Sequence, residues 1–83
     1  MLLLVAMLAQ EPAVDVMRCR VRPAEALVGE QYRRGVPTRA KRLAGARTVR
    51  VIWPGQPVTA DYRIDRVSIV VDRRRTITAV RCG

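Results

Sequence analysis

The side chains of this sequence whose spacing invites a reading as covalent or acid–base chemistry are two cysteines, Cys19 and Cys82, and, of seven acids, the pair Asp61 and Asp65. There is no His, which removes a His-based triad, a general base titrating near neutral pH and the commonest metal ligand. Asp61 and Asp65 each have an Arg within two residues. Nothing in the pattern pushes their two pKa values apart, so ion pairing is the expected role and acid–base catalysis is not. The two Cys fit neither a metal-ligand spacing nor a CxxC redox pair, and no Gly-rich phosphate loop is present. A single Cys19–Cys82 disulfide is the expectation if the chain is exported, with two reduced, buried thiols as the alternative. The sequence therefore predicts no enzyme, no cofactor and no metal site.

What it offers instead is a shaped loop. Pro54-Gly55-Gln56-Pro57-Val58-Thr59-Ala60-Asp61-Tyr62-Arg63-Ile64-Asp65-Arg66 is too polar and too rich in Pro and Gly to continue a strand. Pro54 and Pro57 remove two amide donors and fix two φ angles, while Gly55 permits the bend between them. On either side lie strand patterns: Thr48 to Trp53 alternates polar and β-branched residues, and Val67 to Val71 is a dense β-branched run. A connection of about a dozen residues with no regular structure is uncommon in a compact domain unless it is functional or disordered. Two prolines and four nearby charges favour an ordered, exposed binding loop.

The remaining elements are small. Pro-Ala-Glu-Ala-Leu-Val-Gly from Pro23 reads as one or two helical turns stopped by Gly29. Glu30 to Pro37 reads as a connector. Thr38 is the expected cap of a second short helix, Arg39 to Ala44, ended by Gly45, with Ala40, Leu43 and Ala44 on its apolar face. Asp72 to Arg75 is a turn into a last strand, Thr76 to Val80, antiparallel to Val67 to Val71. The expected core is Trp53, Val49, Val51, Ile69, Val71, Ile77 and Leu43. At 83 residues this is one α+β domain with a core that benefits from a staple.

Fifteen of the sixteen basic residues are Arg, and the net charge is +9. Such a balance admits nucleic acid, an anionic membrane or an acidic protein as partner without choosing among them. With no helix-turn-helix, zinc finger or aromatic RNA-stacking motif, and only Tyr32, Trp53 and Tyr62 as aromatics, no specific nucleic acid is expected and a solvated basic surface is the plainer reading. Residues 1–17 divide from 18–83: Met1 to Ala9 is an apolar run too short to span a bilayer at about 20 residues, so no transmembrane segment is expected. It reads as a truncated or atypical secretory signal, or else an incidental tail, followed by a leader through Met17.

Val58-Thr59-Ala60-Asp61-Tyr62-Arg63-Ile64-Asp65-Arg66-Val67, followed by Val71-Asp72 and a final strand, resembles the reactive-loop segment of the potato inhibitor I family of serine protease inhibitors. The Pro54-Gly55-Gln56 approach, the ending Arg81-Cys82-Gly83, and Ala26-Leu27-Val28-Gly29 after Cys19 resemble more closely the small bacterial and fungal elastase inhibitors of peptidase inhibitor family I78. The resemblance implies a potato inhibitor I-like fold: a short helix on a mixed three-stranded sheet, parallel across a long reactive loop, with the Cys19–Cys82 disulfide. It also implies substrate-like inhibition in which Ala60 and Asp61 flank the scissile bond, and Val58, Thr59, Tyr62 and Arg63 contact the protease. Arg66 matches one of two Arg positions that support the loop from beneath. The second falls on Ser68, a departure for which the disulfide, Pro57 or Arg81 would compensate.

A methyl side chain at Ala60 suits the small pocket of an elastase-like or subtilisin-like serine endopeptidase, which is the expected partner of a secreted or periplasmic monomer. Two other classes remain at this stage. A homologue that has lost inhibition could serve as an envelope or interaction domain, for which Ser68 is the argument. A basic nucleic-acid-binding module would be indifferent to Ala60.

Overall fold

The computed structural model describes residues 18–83; the signal-like segment and leader expected over residues 1–17 lie outside them. Short helices α1 (Val21–Ala24) and α2 (Val36–Ala44) precede three strands, β1 (Thr48–Ile52), β2 (Arg66–Val71) and β3 (Ile77–Cys82). The class is α+β, as the sequence predicts.

Both helices begin earlier than their prolines suggest. Pro23 and Pro37 lie inside the first turns of α1 and α2 rather than at their boundaries, because first-turn amides have no intrahelical acceptor and a ring there costs no hydrogen bond. Thr38 is consequently not a cap; Gly35 holds that position. A single turn of 3₁₀ helix, Glu25–Leu27, continues α1 and buries Leu27 completely. Gly45 closes α2 at φ 63, with its own amide and that of Ala46 bonded to the Arg42 and Lys41 carbonyls. This is the left-handed stop that glycine favours.

The earlier start also resets the buried face of α2. Val36, Ala40 and Ala44, spaced i, i+4, i+8, face the sheet, while Leu43 is 37% exposed at the edge of the stripe, contrary to its expected core role. Two alanines at the contact let the helix approach the strands closely.

The sheet runs β1-β2-β3, with β1 parallel and β3 antiparallel to the central β2. Period-2 alternation divides β2 cleanly. Val67, Ile69 and Val71 turn inward with Ile77 and Val80 of β3 onto Ala24, Leu27, Ala40 and Ala44, and Val49 and Val51 of β1 pack on this core from its margin. Arg66 and Ser68 turn to the opposite face. Trp53, expected in the core, is 36% exposed beyond the end of β1, where its ring meets Tyr32 edge to face at 4.9 Å. The strand pairing ends at Ile52, and Trp53 lies beyond the paired residues of β1.

The turn between β2 and β3 is built by Asp72, whose Oδ1 accepts the amides of Arg74 at 2.8 Å and Thr76 at 2.9 Å, with Arg75 in the left-handed region at φ 67. A parallel pair cannot be joined by a hairpin, so the chain between Ile52 and Arg66 must travel back along the sheet. That forced return is the loop.

Cys19 and Cys82 form a disulfide across 63 positions, Cα to Cα 5.7 Å. The core it staples is rich in Ala and Val, hence small. Replacing both cysteines by Ser is expected to cost about 4 kcal/mol of stability on the loop-entropy model. Urea unfolding of the variant beside the oxidised protein measures it. A shift in midpoint worth less than about 1 kcal/mol would mean the core suffices alone.

Candidate functional site

The loop is pinned at both roots and free between them. Upstream, the Gln56 amide donates to the Trp53 carbonyl at 3.0 Å and the Gln56 Oε1 accepts the Trp53 amide at 3.1 Å, a tight turn that Gly55 permits at φ 77. Downstream, the Ile64 carbonyl accepts the Cys19 amide at 2.8 Å, and the Asp65 carbonyl accepts the amides of Arg47 and Thr48. Because Cys19 is itself bonded to Cys82, the disulfide reaches the downstream root directly. Residues 57–62 are exposed, and the backbone amides of residues 58–62 make no backbone bond among the described residues. They are available to pair with another chain in strand fashion.

Two guanidinium groups hold that free segment from beneath. Arg66, its side chain only 12% exposed, donates from Nη2 to the Asp61 carbonyl at 2.9 Å, from Nη1 to the Asp61 carboxylate at 3.4 Å and from Nε to the Gly83 carbonyl at 3.1 Å. Arg50 reaches up from β1: Nη1 donates to Thr59 Oγ1 at 3.4 Å and lies 3.8 Å from the Asp61 carboxylate, while Nη2 donates to the Gly83 carbonyl at 3.4 Å. Ser68 links them, accepting from Arg50 Nε at 3.3 Å and donating to the Gly83 carbonyl at 2.9 Å. The Thr59 hydroxyl in turn bonds the Asp61 carboxylate across a bend at Ala60. Thr59 and Asp61 are thus drawn toward the sheet and Ala60 stands at the apex between them.

The hydrogen bond from Thr59, above all, holds the Asp61 carboxyl below its ordinary range; burial opposes it, and the charge and hydrogen bond of Arg66 add to the lowering. Its folded pKa being depressed, the stabilisation it supplies is complete above the unfolded value near 4 and is lost as pH falls through the lower folded value. Loop bracing is therefore expected to be constant from neutral pH down to about 5 and to loosen below about 4, read as faster exchange of the loop amides in acid. An Asp61→Asn variant removes this pH dependence.

Of the residues expected to serve the site, the fold brings Thr59, Asp61, Arg66 and Ser68 into one network. Val58, Ala60 and Arg63 are exposed on the loop. Tyr62 is 63% exposed, and one edge of its ring lies against Gly83, where a Cβ would stand 3.4 Å from the ring carbons and φ is 125. Arg81 is not brought to the loop: it sits opposite Ser68 in the β2–β3 register, and its exposed side chain makes no hydrogen bond or ion pair among the described residues. The compensation for Ser68 comes from Arg50 on the other neighbouring strand, a residue the sequence reading did not single out. Its signal was the pairing of Arg50 with Ser68 across the parallel strands, which makes a long side chain on one and a short one on the other occupy the same place. No group of three or more metal-ligating side chains occurs among the described residues, nor any helix long and apolar enough to cross a membrane.

Residues 19–83 match the family model of the peptidase inhibitor I78 family. The chain belongs to that family. Its match spans everything from the first half-cystine to Gly83, so loop, braces and disulfide are all inside it. The fold of this I78 member is similar to the solved structure of the elastase inhibitor AFUEI (crystal form II), with a TM-score of 0.56 and 26% sequence identity, over 69% of this chain and 78% of that one. No curated protein matches. As an I78 family member the chain is a peptidase inhibitor and not an enzyme, and its partner is a protease.

Proposed function

We propose that this protein inhibits serine endopeptidases of elastase or subtilisin type by the substrate-like mechanism, offering the Ala60–Asp61 peptide bond as its reactive site. One observation carries the reading: the two braces take hold of Thr59 and Asp61, on either side of Ala60, and leave Ala60 itself at the bend. A bond fixed on both flanks and offered at an apex is what a protease cleft needs to engage and what hydrolysis needs to be slow.

The physical argument has two parts. A loop held in its bound shape loses little conformational entropy on association, so affinity rises without added contact area. After attack, the Asp61 amine stays close to the acyl-enzyme because Arg66 grips the Asp61 carbonyl and carboxylate, and its high effective concentration favours resynthesis of the bond over hydrolysis. Val58 and Thr59 align along the enzyme with strand-like backbone bonds, Ala60 enters the small primary pocket, and Tyr62 and Arg63 meet the leaving-group side. The protein name of the structural neighbour, an elastase inhibitor, agrees with a small residue at Ala60. The disulfide fits an oxidising compartment, which supports a secreted or periplasmic protein. With Arg50 in place of the expected second support, Ser68 no longer argues for an inactive homologue.

Titration of the oxidised protein against pancreatic elastase and subtilisin, with intact mass followed over time, tests the reading. Stoichiometric inhibition with slow, incomplete cleavage between Ala60 and Asp61 is expected. Rapid cleavage there, or no inhibition of either enzyme, overturns it.

A further inference from the structure

Spread along the sequence, the arginines have no evident pattern; the fold collects five of them at one end of the sheet. Gln31 forms an isolated bridge with Thr76, and its Nε2 donates to the Arg74 carbonyl at 2.9 Å, while the Tyr32 amide donates to the Arg75 carbonyl at 2.8 Å. These bonds lay the segment after Gln31 beside the β2–β3 turn and set Arg33 and Arg34 next to Arg73, Arg74 and Arg75. All five are exposed, and none enters an ion pair among the described residues. The acids at this end are already engaged. Asp72 is bonded to the turn amides, and Glu30 is held by both terminal nitrogens of Arg39, at 3.1 and 3.2 Å. Within the cluster the Arg75 guanidinium lies 5.7 Å from the centroid of the Trp53 ring and 6.0 Å from that of Tyr32.

Building the fold does not explain this arrangement. The turn is made by Asp72 and backbone bonds, and Arg73 and Arg74 add only mutual repulsion. What such a surface fits is an anion with repeated charge. Guanidinium forks match phosphate oxygens, and a partly open indole beside them accepts an unstacked base. A membrane surface would call for a cluster of apolar side chains in the patch. Of the exposed large apolar residues, Val58, Tyr62 and Ile64 belong to the loop, Leu43 to α2 and Val28 to the chain before Gly29, and the patch itself offers Trp53.

We infer that this end of the sheet is a binding site for single-stranded nucleic acid, with Arg33, Arg34, Arg73 and Arg74 on the phosphates and a base against Trp53 propped by Arg75. The site is separate from the reactive bond. Asp61 is anchored by Arg66 at the start of β2 and the patch follows the end of that strand, whose six residues span about 20 Å. The inference does not rest on the inhibitory reading.

The test uses the full oxidised chain and a labelled oligothymidylate of about twelve nucleotides, with binding read by anisotropy and by the fluorescence of Trp53, the chain's single Trp. About four phosphate contacts at roughly 0.7 counterions each give a log–log salt slope near −3, or about fiftyfold weaker binding between roughly 50 and 200 mM salt. Trp53 emission is expected to change in step with anisotropy. The Arg73→Gln/Arg74→Gln pair is expected to lower affinity about tenfold and flatten the slope by about 1.4, while Lys41→Gln/Arg42→Gln, the same loss of charge on α2, stays within about twofold. Equal weakening by the two pairs overturns the inference, because binding is then diffuse. So does an unchanged Trp53 emission at saturation, or a preference for vesicles of anionic phospholipid over the oligonucleotide.

Discussion

Replacing Arg66 by Ala is expected to convert the inhibitor into a substrate: its inhibition constant against an elastase-type enzyme rises roughly a hundredfold, the scale of losing charge-assisted hydrogen bonds from a largely buried donor, and cleavage at Ala60–Asp61 accelerates alongside. The size of the effect follows from where Arg66 ends. Its Nη2 bond, 2.9 Å, is made to the carbonyl of Asp61, the same residue whose amine cleavage would free. Without it, Asp61 on the amine side of the cut loop keeps only its carboxylate's bond to the Thr59 hydroxyl and a contact with Arg50 at 3.8 Å, and the amine drifts away before resynthesis. Arg66→Lys keeps the charge but cannot serve Asp61 and Gly83 at once, so its loss should fall between wild type and Ala.

Arg50→Ala should act in the same direction with a smaller step, since its bonds to Thr59 and Gly83 are both 3.4 Å. The two Arg residues share Asp61 and the Gly83 carbonyl as acceptors. Their effects will therefore not add, and a double-mutant cycle should show coupling between them. Inhibition constants and product masses for the four proteins settle the matter. If Arg66→Ala inhibits as tightly as wild type and is cut no faster, the bracing account is wrong.

The same pair of arginines shows what the sequence could and could not disclose. The strands, the loop between them and the turn at Asp72 were legible because each rests on local pattern: alternation, paired prolines, a short polar side chain bonding its own turn. Arg66 was legible through the family resemblance, which assigns a supporting Arg to its position. Arg50 was not, because its role depends on which residue of β2 it meets, and pairing register is a property of two segments together. Leu43 and Trp53 failed for a related reason. Leu43 shares a face with Ala40 in any helix, but the helix start at Val36 decided which side of that face met the sheet. Trp53 continued the strand's alternation by one residue, yet alternation buries a side chain only while a neighbouring strand lies alongside. The five-arginine cluster is the extreme case, since nothing in the sequence places residues 33–34 beside 73–75 except the fold. Arg81 illustrates the converse: it pairs with Ser68 across β2 and β3, and its side chain nonetheless stays in solvent.

Replacing Ala60 by Arg is expected to produce the largest change of all, a transfer of specificity and not a loss of function. The brace holds Thr59 and Asp61, and neither Arg50 nor Arg66 bonds to Ala60, so the substitution leaves the support network intact. It alters only what enters the primary pocket. A pocket built around a buried acid leaves that acid unpaired when it receives a methyl group, and discrimination at such polar sites reaches about ten-thousandfold. Inhibition of a trypsin-like protease should therefore strengthen by roughly that factor, while an elastase-type pocket, too small for a guanidinium, should be inhibited at least about a hundredfold less well. The measurement is a pair of inhibition constants for each protein. A target preference that does not move would place the reactive bond elsewhere on the loop, and the same change made at Val58 or Thr59 would then find it. Because the braces flank Ala60 and no other loop residue, the exchange of preference at this one position would also tie the geometry of the support to the chemistry of the bond.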